Sequence, residues 1–395
     1  MELKSAPTSA QSLPKGWDIK TIGAVCPLQR GFDLPNSKIE SGTVPIVYSN
    51  GILKTHAKSM ARGPGVVTGR SGTIGNVHYV EGDYWPHNTA LWVTNFKGNH
   101  PKFIYYLLSC IGLEKFSSGS GVPTLNRNDV HQYKVKIPES ALEQSAIASA
   151  LSDVDDLLAK LDQLIAKKSD IKKGAMQELL TGKRRLPGFS QEWHSRTLYE
   201  LAEKRKEFFD DGDWIEARYL TESGVRLIQT GNIGEGFFIE KEGKKYISED
   251  TFNSLRCKEL MEGDILICRL AEPAGRACLF PKIGDTRAIT AVDVTIYRPQ
   301  SSMANRRFLV HVFNTPDWYE VISERCGGST RSRISRSELG KISISLPSVD
   351  EQSAIAAVLD DMDKEILALK SKREKISIIK NGMTQQLLTG KIRLV

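Results

Sequence analysis

The sequence predicts an α+β protein: two mixed α/β globular domains joined by two long antiparallel coiled-coil helices in a pseudo-twofold arrangement. Three observations predict it. A helical segment in the middle of the chain recurs at its end with a constant offset. The apolar residues of both copies advance in alternating steps of four and three, the seam of a helix that packs along another helix. Each copy follows a stretch of short β-branched runs broken by glycine and closed by a strand ending in proline.

The repeat sets the architecture, because one unit used twice fixes the order of everything between its copies. Glu143-Gln144-Ser145-Ala146-Ile147-Ala148 recurs as Glu351-Gln352-Ser353-Ala354-Ile355-Ala356, and Leu180-Thr181-Gly182-Lys183 recurs as Leu388-Thr389-Gly390-Lys391. The offset is 351 − 143 = 208 at one end and 389 − 181 = 208 at the other, and residues 143–186 match 351–394 at 23 of 44 positions without a gap. The seam of the first copy is Ile147, Leu151, Val154, Leu158, Leu161 and Ile165; that of the second is Ile355, Leu359, Met362, Ile366 and Leu369. A helix from the glutamate to the Leu-Leu pair has about 38 residues and a length of about 57 Å at ~1.5 Å per residue. Gly182 and Gly390 suit its end, since glycine takes the left-handed cap conformation readily. Oligomerisation is the ordinary meaning of such a seam, but two copies in one chain can pair with each other. Lys167, Lys168, Lys172 and Lys173 read as solvated helix surface ahead of DNA contact.

The chain therefore divides into a first globular domain over residues 1–140, a first repeat helix over 141–186, a second globular domain over 187–348 and a second repeat helix over 349–395. The globular domains resemble each other loosely. Both open on a tryptophan before a short amphipathic stretch, at Trp17 and Trp193. Both then carry a strand that ends in an arginine, Gly65-Val66-Val67-Thr68-Gly69-Arg70 and Ile265-Leu266-Ile267-Cys268-Arg269. A helical patch follows, over 103–110 and 306–313, then glycine-serine loops at 117–121 and 327–330. Leu125-Asn126-Arg127-Asn128-Asp129-Val130 next matches Ile334-Ser335-Arg336-Ser337-Glu338-Leu339 in pattern, and the apolar strands end at Pro138 and Pro347. Shared ends with divergent middles describe two versions of one domain tuned to different ligands.

The formal charge of +7 points to an anionic partner only if its location supports that. Residues 1–140 carry 15 basic and 9 acidic side chains, 141–186 carry 8 and 7, 187–348 carry 23 and 24, and 349–395 carry 8 and 7, so the excess lies in the first domain. The loops are rich in side chains that read base edges or hold phosphates. Candidates for DNA contact are Ser49, Asn50, Arg70, Ser71, Thr73 and Asn76 in the first domain, and Gln229, Thr230, Asn232, Arg269, Arg276, Arg331 and Arg333 in the second. The run from Arg331 to Arg336 gives the second domain a local positive patch despite its even total.

A catalytic protein should leave a signature, and none is found. Thr181-Gly182-Lys183 and Thr389-Gly390-Lys391 lack the second glycine of a phosphate loop, since Gln177 and Gln385 occupy its place. No G-x-G-x-x-G follows a strand, and no Asn/Asp-Pro-Pro-aromatic sequence exists to grip an adenine for methylation. Asp317 and Glu320 lack the lysine that a nuclease motif needs, with Ile322 there instead. The seven histidines form no helical pair at metal-binding spacing and the six cysteines no C-x-x-C, so no metal site is expected and the thiols read as reduced. No apolar stretch reaches the roughly 18 residues of a membrane span, and the protein is expected in the cytoplasm.

Taken together, the pattern resembles the specificity subunits of type I restriction-modification enzymes. The carriers are the duplicated helices from Glu-Gln-Ser-Ala-Ile-Ala to Leu-Leu-Thr-Gly-Lys, the proline-to-Glu-Gln junctions from Pro138 to Gln144 and from Pro347 to Gln352, and the glycine-to-arginine turn ending at Arg269. The resemblance spans nearly the whole chain. It implies that the globular domains are target recognition domains, that the helices fix their separation, and that the protein reads double-stranded DNA at two half-sites divided by a spacer of fixed length. It implies partners: two methyltransferase subunits that flip and methylate adenine N6, and motor-nuclease subunits for cleavage. S-adenosylmethionine, ATP and Mg2+ would serve those partners, with no cofactor bound by this chain.

Overall fold

The computed structural model describes residues 13–118, 122–270, 273–284, 287–327 and 332–394. The chain divides into two compact units, one of Met1–Gln163 with Lys370–Val395 and one of Leu164–Leu369. The division cuts both long helices, so the first unit joins the two ends of the chain and the second is one continuous segment that begins and ends within a long helix.

In the first unit, β1 (Trp17–Thr21), α1 (Ile22–Val25), β2 (Leu28–Arg30), β3 (Val44–Tyr48), β4 (Gly51–His56), β5 (Gly65–Gly69), β6 (Val77–Val80), β7 (Trp85–Pro86), β8 (Ala90–Val93), α2 (Pro101–Ser109), β9 (Ser117–Ser118), β10 (Thr124–Leu125), α3 (Arg127–Gln132) and β11 (Lys134–Pro138) lead into α4 (Ala141–Leu179). A four-stranded antiparallel sheet has the order β2-β8-β5-β6, and a three-stranded sheet the order β4-β3-β7 with β3 parallel to β7. Successive strand residues face opposite sides of a sheet. Val66 accordingly joins a core with Phe103 and Leu107 of α2, while Val67 packs with Val47 of the second sheet. Burial on both faces explains why the β5 sequence is apolar without alternation. β1 pairs antiparallel with β11, Trp17 opposite Pro138, so the domain closes on its own ends before the long helix starts.

The second unit repeats this order. β12 (His194–Thr197), α5 (Leu198–Leu201), β13 (Phe209–Asp211), β14 (Leu220–Thr221), β15 (Val225–Ile228), β16 (Lys245–Ile247), α6 (Glu249–Ser254), β17 (Ile265–Cys268), β18 (Ala277–Leu279), β19 (Ala288–Thr290), β20 (Val294–Tyr297), α7 (Arg306–Val312), α8 (Pro316–Arg325), α9 (Arg336–Gly340) and β21 (Ser343–Leu346) precede α10 (Val349–Leu388). Its main sheet runs β13-β20-β17-β18, strand for strand the order of the first, and β15 lies parallel to β19 as β3 does to β7. β12 pairs with β21 to close the domain. The loose likeness in sequence is a close likeness in topology.

The long helices end as the glycines predict, with Gly182 at φ +70 and Gly390 at φ +71. Within the first unit, Asp155 meets Lys380 at 2.5 Å and Asp162 meets Arg373 at 3.1 Å, so one index rises as the other falls and the segments are antiparallel. Within the second, Lys168 meets Glu365 at 2.7 Å and Lys172 meets Asp363 at 2.5 Å. Two of the four lysines assigned to solvated surface therefore hold ion pairs between helices. Of the seam residues, Ile147, Leu151, Leu161, Ile355, Leu359 and Ile366 are buried, and Val154, Leu158, Ile165, Met362 and Leu369 half-buried. The structure corrects one part of the coiled-coil reading: the first turns do not pack on helix alone. Ile147 and Leu151 sit in the core of the first domain, where Leu387 and Leu388 join them, and Ile355 and Leu359 sit in that of the second with Leu179 and Leu180. Each domain is thus sealed by the start of the helix that follows it and by the end of the other helix.

The six cysteines are unpaired, and four are buried. Burial pushes the Cys26 thiol up to about 12, and Cys278 likewise to about 12, which keeps both protonated and unreactive at neutral pH. No helix among the described residues is long and apolar enough to cross a membrane.

Candidate nucleic-acid interface

The loops of the first domain gather at the end of β5. Gly69 must be glycine, because a Cβ there would lie 1.8 Å from the Thr73 carbonyl oxygen and 3.0 Å from that of Ser49. Loop 70–76 folds back over this point. The amides of Arg70 and Ser71 both donate to the Thr89 carbonyl, at 2.8 and 3.1 Å, while the Arg70 carbonyl accepts from Leu125 N at 2.7 Å. The Ser49 amide donates to Thr89 Oγ1 at 3.3 Å, and Thr68 Oγ1 to the Asn76 carbonyl at 3.0 Å. Ser49, Arg70, Ser71, Thr73 and Asn76 are therefore brought together from two loops. Asn50, Thr73 and Asn76 are exposed, whereas Ser49 is buried and Arg70 and Ser71 are half-buried.

Sequence reasoning missed the third loop of this cluster, His87-Asn88-Thr89. Asn88 accepts on its carbonyl from Arg70 Nη1 at 3.2 Å and donates from its side chain to Asp33. His87 packs against Tyr48 in a tilted contact with ring centroids 4.4 Å apart and shares a hydrogen bond of 3.0 Å with Thr89 Oγ1. Burial is the main influence on the imidazole and lowers its pKa, against weaker raising effects from Leu34 and Asp33. The signal available was a polar triplet interrupting an otherwise apolar run between two strands.

In the second domain the same device is buried outright. Arg269 follows β17 as Arg70 follows β5. Its amide donates to the Asp293 carbonyl at 2.8 Å and its carbonyl accepts from Ile334 N at 3.1 Å, the counterparts of Thr89 and Leu125. Its guanidinium reaches the Val292 carbonyl at 2.6 Å, the Ile334 carbonyl at 3.1 Å and Asp211 Oδ2 at 3.0 Å. Arg269 is 2% exposed. Burial pulls its pKa down, and Asp211 opposes that; the Asp211 carboxyl is in turn raised by burial against the pull of Arg269. The expectation that Arg269 faces a ligand is corrected: it braces the loops from inside, because its flanking strand is covered on both faces.

Arg276 and Asn232 are also braces. Arg276 Nε donates to the Ile233 carbonyl at 2.8 Å, Nη1 to that of Pro273 at 2.8 Å and Nη2 to that of Thr230 at 3.0 Å, stapling two loops together. Asn232 is buried, accepts from the Gln229 amide at 3.0 Å and donates to the Ile239 carbonyl at 2.9 Å. Gln229 and Thr230 are half-buried beside them.

The expected positive patch is largely neutralised. Arg333 is exposed but lies 3.1 Å from Asp293 Oδ1, an ion-pair distance without hydrogen-bond alignment. Arg336 pairs with Asp210, which Lys258 also meets at 3.0 Å. Arg331 lies outside the described residues, as do residues 119–121 and 328–330 of the glycine-serine loops. Among the described residues, no group of three or more His, Cys, Asp or Glu is placed to hold a metal ion. The arrangement offers two sets of hydrogen-bonded loops, with exposed polar side chains in the first and, among the described candidates of the second, arginines that are already paired. Such surfaces bind through hydrogen bonds and shape.

Comparison with known proteins bears on what these surfaces meet. A family model described as the type I restriction modification DNA specificity domain matches residues 14–171 and again 190–378. The type I restriction enzyme MjaVIII specificity subunit of Methanocaldococcus jannaschii is 26% identical over 296 residues, 71% of this chain and 67% of that protein. The putative type I restriction enzyme MjaX specificity subunit of the same organism is 26% identical over 347 residues, 81% and 76% of the two chains. The crystal structure of a type I restriction-modification system S subunit from M. genitalium matches with a TM-score of 0.64 at 16% identity, covering 98% of this chain and 99% of that one, which is a likeness of fold.

Proposed function

The chain belongs to the type I restriction-modification DNA specificity family, and from that premise we propose that it reads a bipartite, asymmetric DNA target and directs adenine-N6 methylation and cleavage by partner subunits. The observation that carries this reading is the duplication. Two domains share one strand order but hold different loops, as two readers of two different half-sites would. The helices supply the spacing. One base pair added between half-sites moves the second by about 3.4 Å and turns it by about 34°, so a fixed separation of readers selects a fixed spacer.

The polar loops support reading by base edge and the first domain's charge supports holding of phosphates. Two methyltransferase subunits, and motor-nuclease subunits where cleavage occurs, would supply catalysis with S-adenosylmethionine, ATP and Mg2+; this chain would bind none of these and act as a non-catalytic cytoplasmic reader. The test is co-expression with the methyltransferase subunit encoded beside it, followed by long-read mapping of N6-methyladenine. One bipartite motif that disappears without this chain is the expected result. Methylation that persists unchanged in its absence would turn the reading toward a scaffold that tethers proteins.

A further inference from the structure

The two domains differ most at one topological point. After β3 the first domain turns back through two residues, Ser49 and Asn50, into β4. After the equivalent β15 the second inserts residues 229–244 before β16. The equivalence rests on the parallel neighbour: His87 N donates to the Val47 carbonyl at 2.9 Å, and Ala291 N to the Ile228 carbonyl at 3.0 Å. The insertion is a built hairpin. Ile233 faces Phe238, Gly234 N donates to the Phe237 carbonyl at 2.9 Å, Ile239 N donates to the Asn232 carbonyl at 2.8 Å, and Gly236 makes the turn at φ +91.

Its two faces are unlike. Ile233 and Phe238 point inward, Phe238 packing edge-on against Phe280 in the core. Phe237 and Ile239 point outward, 62% and 37% exposed, and flank Gly234 so closely that a Cβ there would lie 3.0 Å from the Phe237 ring and 3.2 Å from Ile239 Cγ1. The inward face supplies the hairpin's own stability. Phe237 joins none of the hydrophobic cores among the described residues, while Arg276, Asn232 and a Gly236 N bond of 2.9 Å to the Ala277 carbonyl tie the hairpin to the strand and loops beside it.

We propose that this hairpin is the element by which the second domain reads its half-site, with Phe237 and Ile239 making an apolar contact to the 5-methyl group of thymine in the major groove. The inference rests on the DNA-reading function proposed above. Three points on the molecule choose DNA as the occupant. The hairpin springs from the loop set that holds Thr230 and Arg276, the counterpart of the one that exposes Asn50 in the first domain. It leads directly into Lys241 and Lys245, cations suited to flanking phosphates, while Lys244 between them pairs with Glu240 at 3.0 Å. Among the described residues, the neighbouring Arg226, Arg269 and Arg276 are engaged by carbonyls and carboxylates, which favours apolar and shape contacts for discriminating bases, and in the major groove only thymine carries a methyl group.

The test uses the assembled methyltransferase complex carrying Phe237→Ala. In the unsubstituted complex each thymine of the second half-site is replaced in turn by deoxyuridine, and each cytosine by 5-methylcytosine. At one position or more the methyl group is expected to change affinity about fourfold, the worth of one buried methyl, and Phe237→Ala should abolish that difference there while leaving the first half-site untouched. Sensitivity that survives in Phe237→Ala, or its absence at every pyrimidine of the unsubstituted complex, overturns the proposal. So does loss of methyltransferase subunits from the Phe237→Ala complex on gel filtration, which would make the hairpin a protein-docking element. A complex with no sequence preference even before substitution would instead sink the DNA-reading function itself.

Discussion

Arg393 and Glu143 form a bidentate ion pair that fastens the end of the second repeat to the start of the first, with Arg393 Nη2 at 2.7 Å from Glu143 Oε2. Arg185 and Glu351 make the same pair in the second unit at 2.5 Å. The spacing is 351 − 143 = 208 and 393 − 185 = 208, so the repeat offset is also the offset of a contact that exchanges partners. Both glutamates are fully buried, and removal of either arginine would leave a carboxylate without its compensating charge. Arg393→Ala is therefore expected to loosen the first unit and Arg185→Ala the second. Hydrogen exchange of β1 and β12 reads which unit responds; equal responses of both strands to either change would refute the exchange of partners.

The apolar half of the same arrangement predicts a larger effect. Leu388, from the end of α10, seals the core of the first domain, and Leu180, just past the end of α4, that of the second. Leu388→Ala should destabilise the first unit by about 2–5 kcal/mol, the range for leucine truncation in a packed core. Denaturant unfolding followed by proteolysis of residues 17–138 checks it, with protection of residues 194–346 as the control.

Arg269→Ala should act as a folding lesion. It leaves Asp211 without its charge partner and the Val292 and Ile334 carbonyls without the guanidinium donors, at a cost of about 3–5 kcal/mol. Methylation should fall at all targets without relaxation of the motif. A correctly folded variant with an altered second half-site would show instead that Arg269 reads bases.

Asn50, Thr73 and Asn76 carry the opposite expectation. They are exposed and none is part of a core, so alanine at each should leave the melting temperature unchanged within the small range typical of surface substitutions. Methylome mapping should show degeneracy in one half-site alone. Unaltered motifs in all three variants would move the base readers of the first domain elsewhere.

The domain-helix contact of the second unit should be acid-sensitive through His311. His311 Nε2 lies 2.9 Å from Asp360 Oδ1, with Arg307 at 3.2 Å from the same carboxylate and the Lys172–Asp363 pair beside it. Burial is the largest influence and lowers the His311 pKa below its ordinary 6.5, with the Asp360 hydrogen bond opposing. A histidine lowered on folding contributes stability that is complete above the unfolded value of 6.5 and is lost as pH falls through the folded one. Tyr106 occupies the matching place in the first unit and donates to Asp155 at 2.8 Å without titrating in this range. His311→Tyr is expected to flatten the loss of melting temperature between pH 7 and 5.

Much of this molecule was legible before any coordinate. The repeat offset, the helix limits near Leu180 and Leu388, and the strand before Arg70 and Arg269 all rest on local patterns: periodicity, glycine caps and runs of β-branched residues. The polar loops of the first domain were legible because small glycine-spaced loops have few places to go. The loops of the second were misread for a physical reason. An arginine or asparagine in sequence looks the same whether it faces a ligand or satisfies buried carbonyls, and only the surroundings of Arg269, Arg276 and Asn232 distinguish the two.

By itself, then, the sequence determined that there are two domains, two helices and one ancestral unit duplicated, since duplication and periodicity are written in residue order. Tertiary structure alone decided which helix end seals which domain, because that depends on burial between residues some 240 positions apart, such as Ile147 and Leu388. It also decided which arginines are braces, and that Phe237 faces outward while its neighbour Phe238 faces the core. Alternation along a hairpin assigns opposite faces to the two, but only the packing of Phe238 on Phe280 says which face is in.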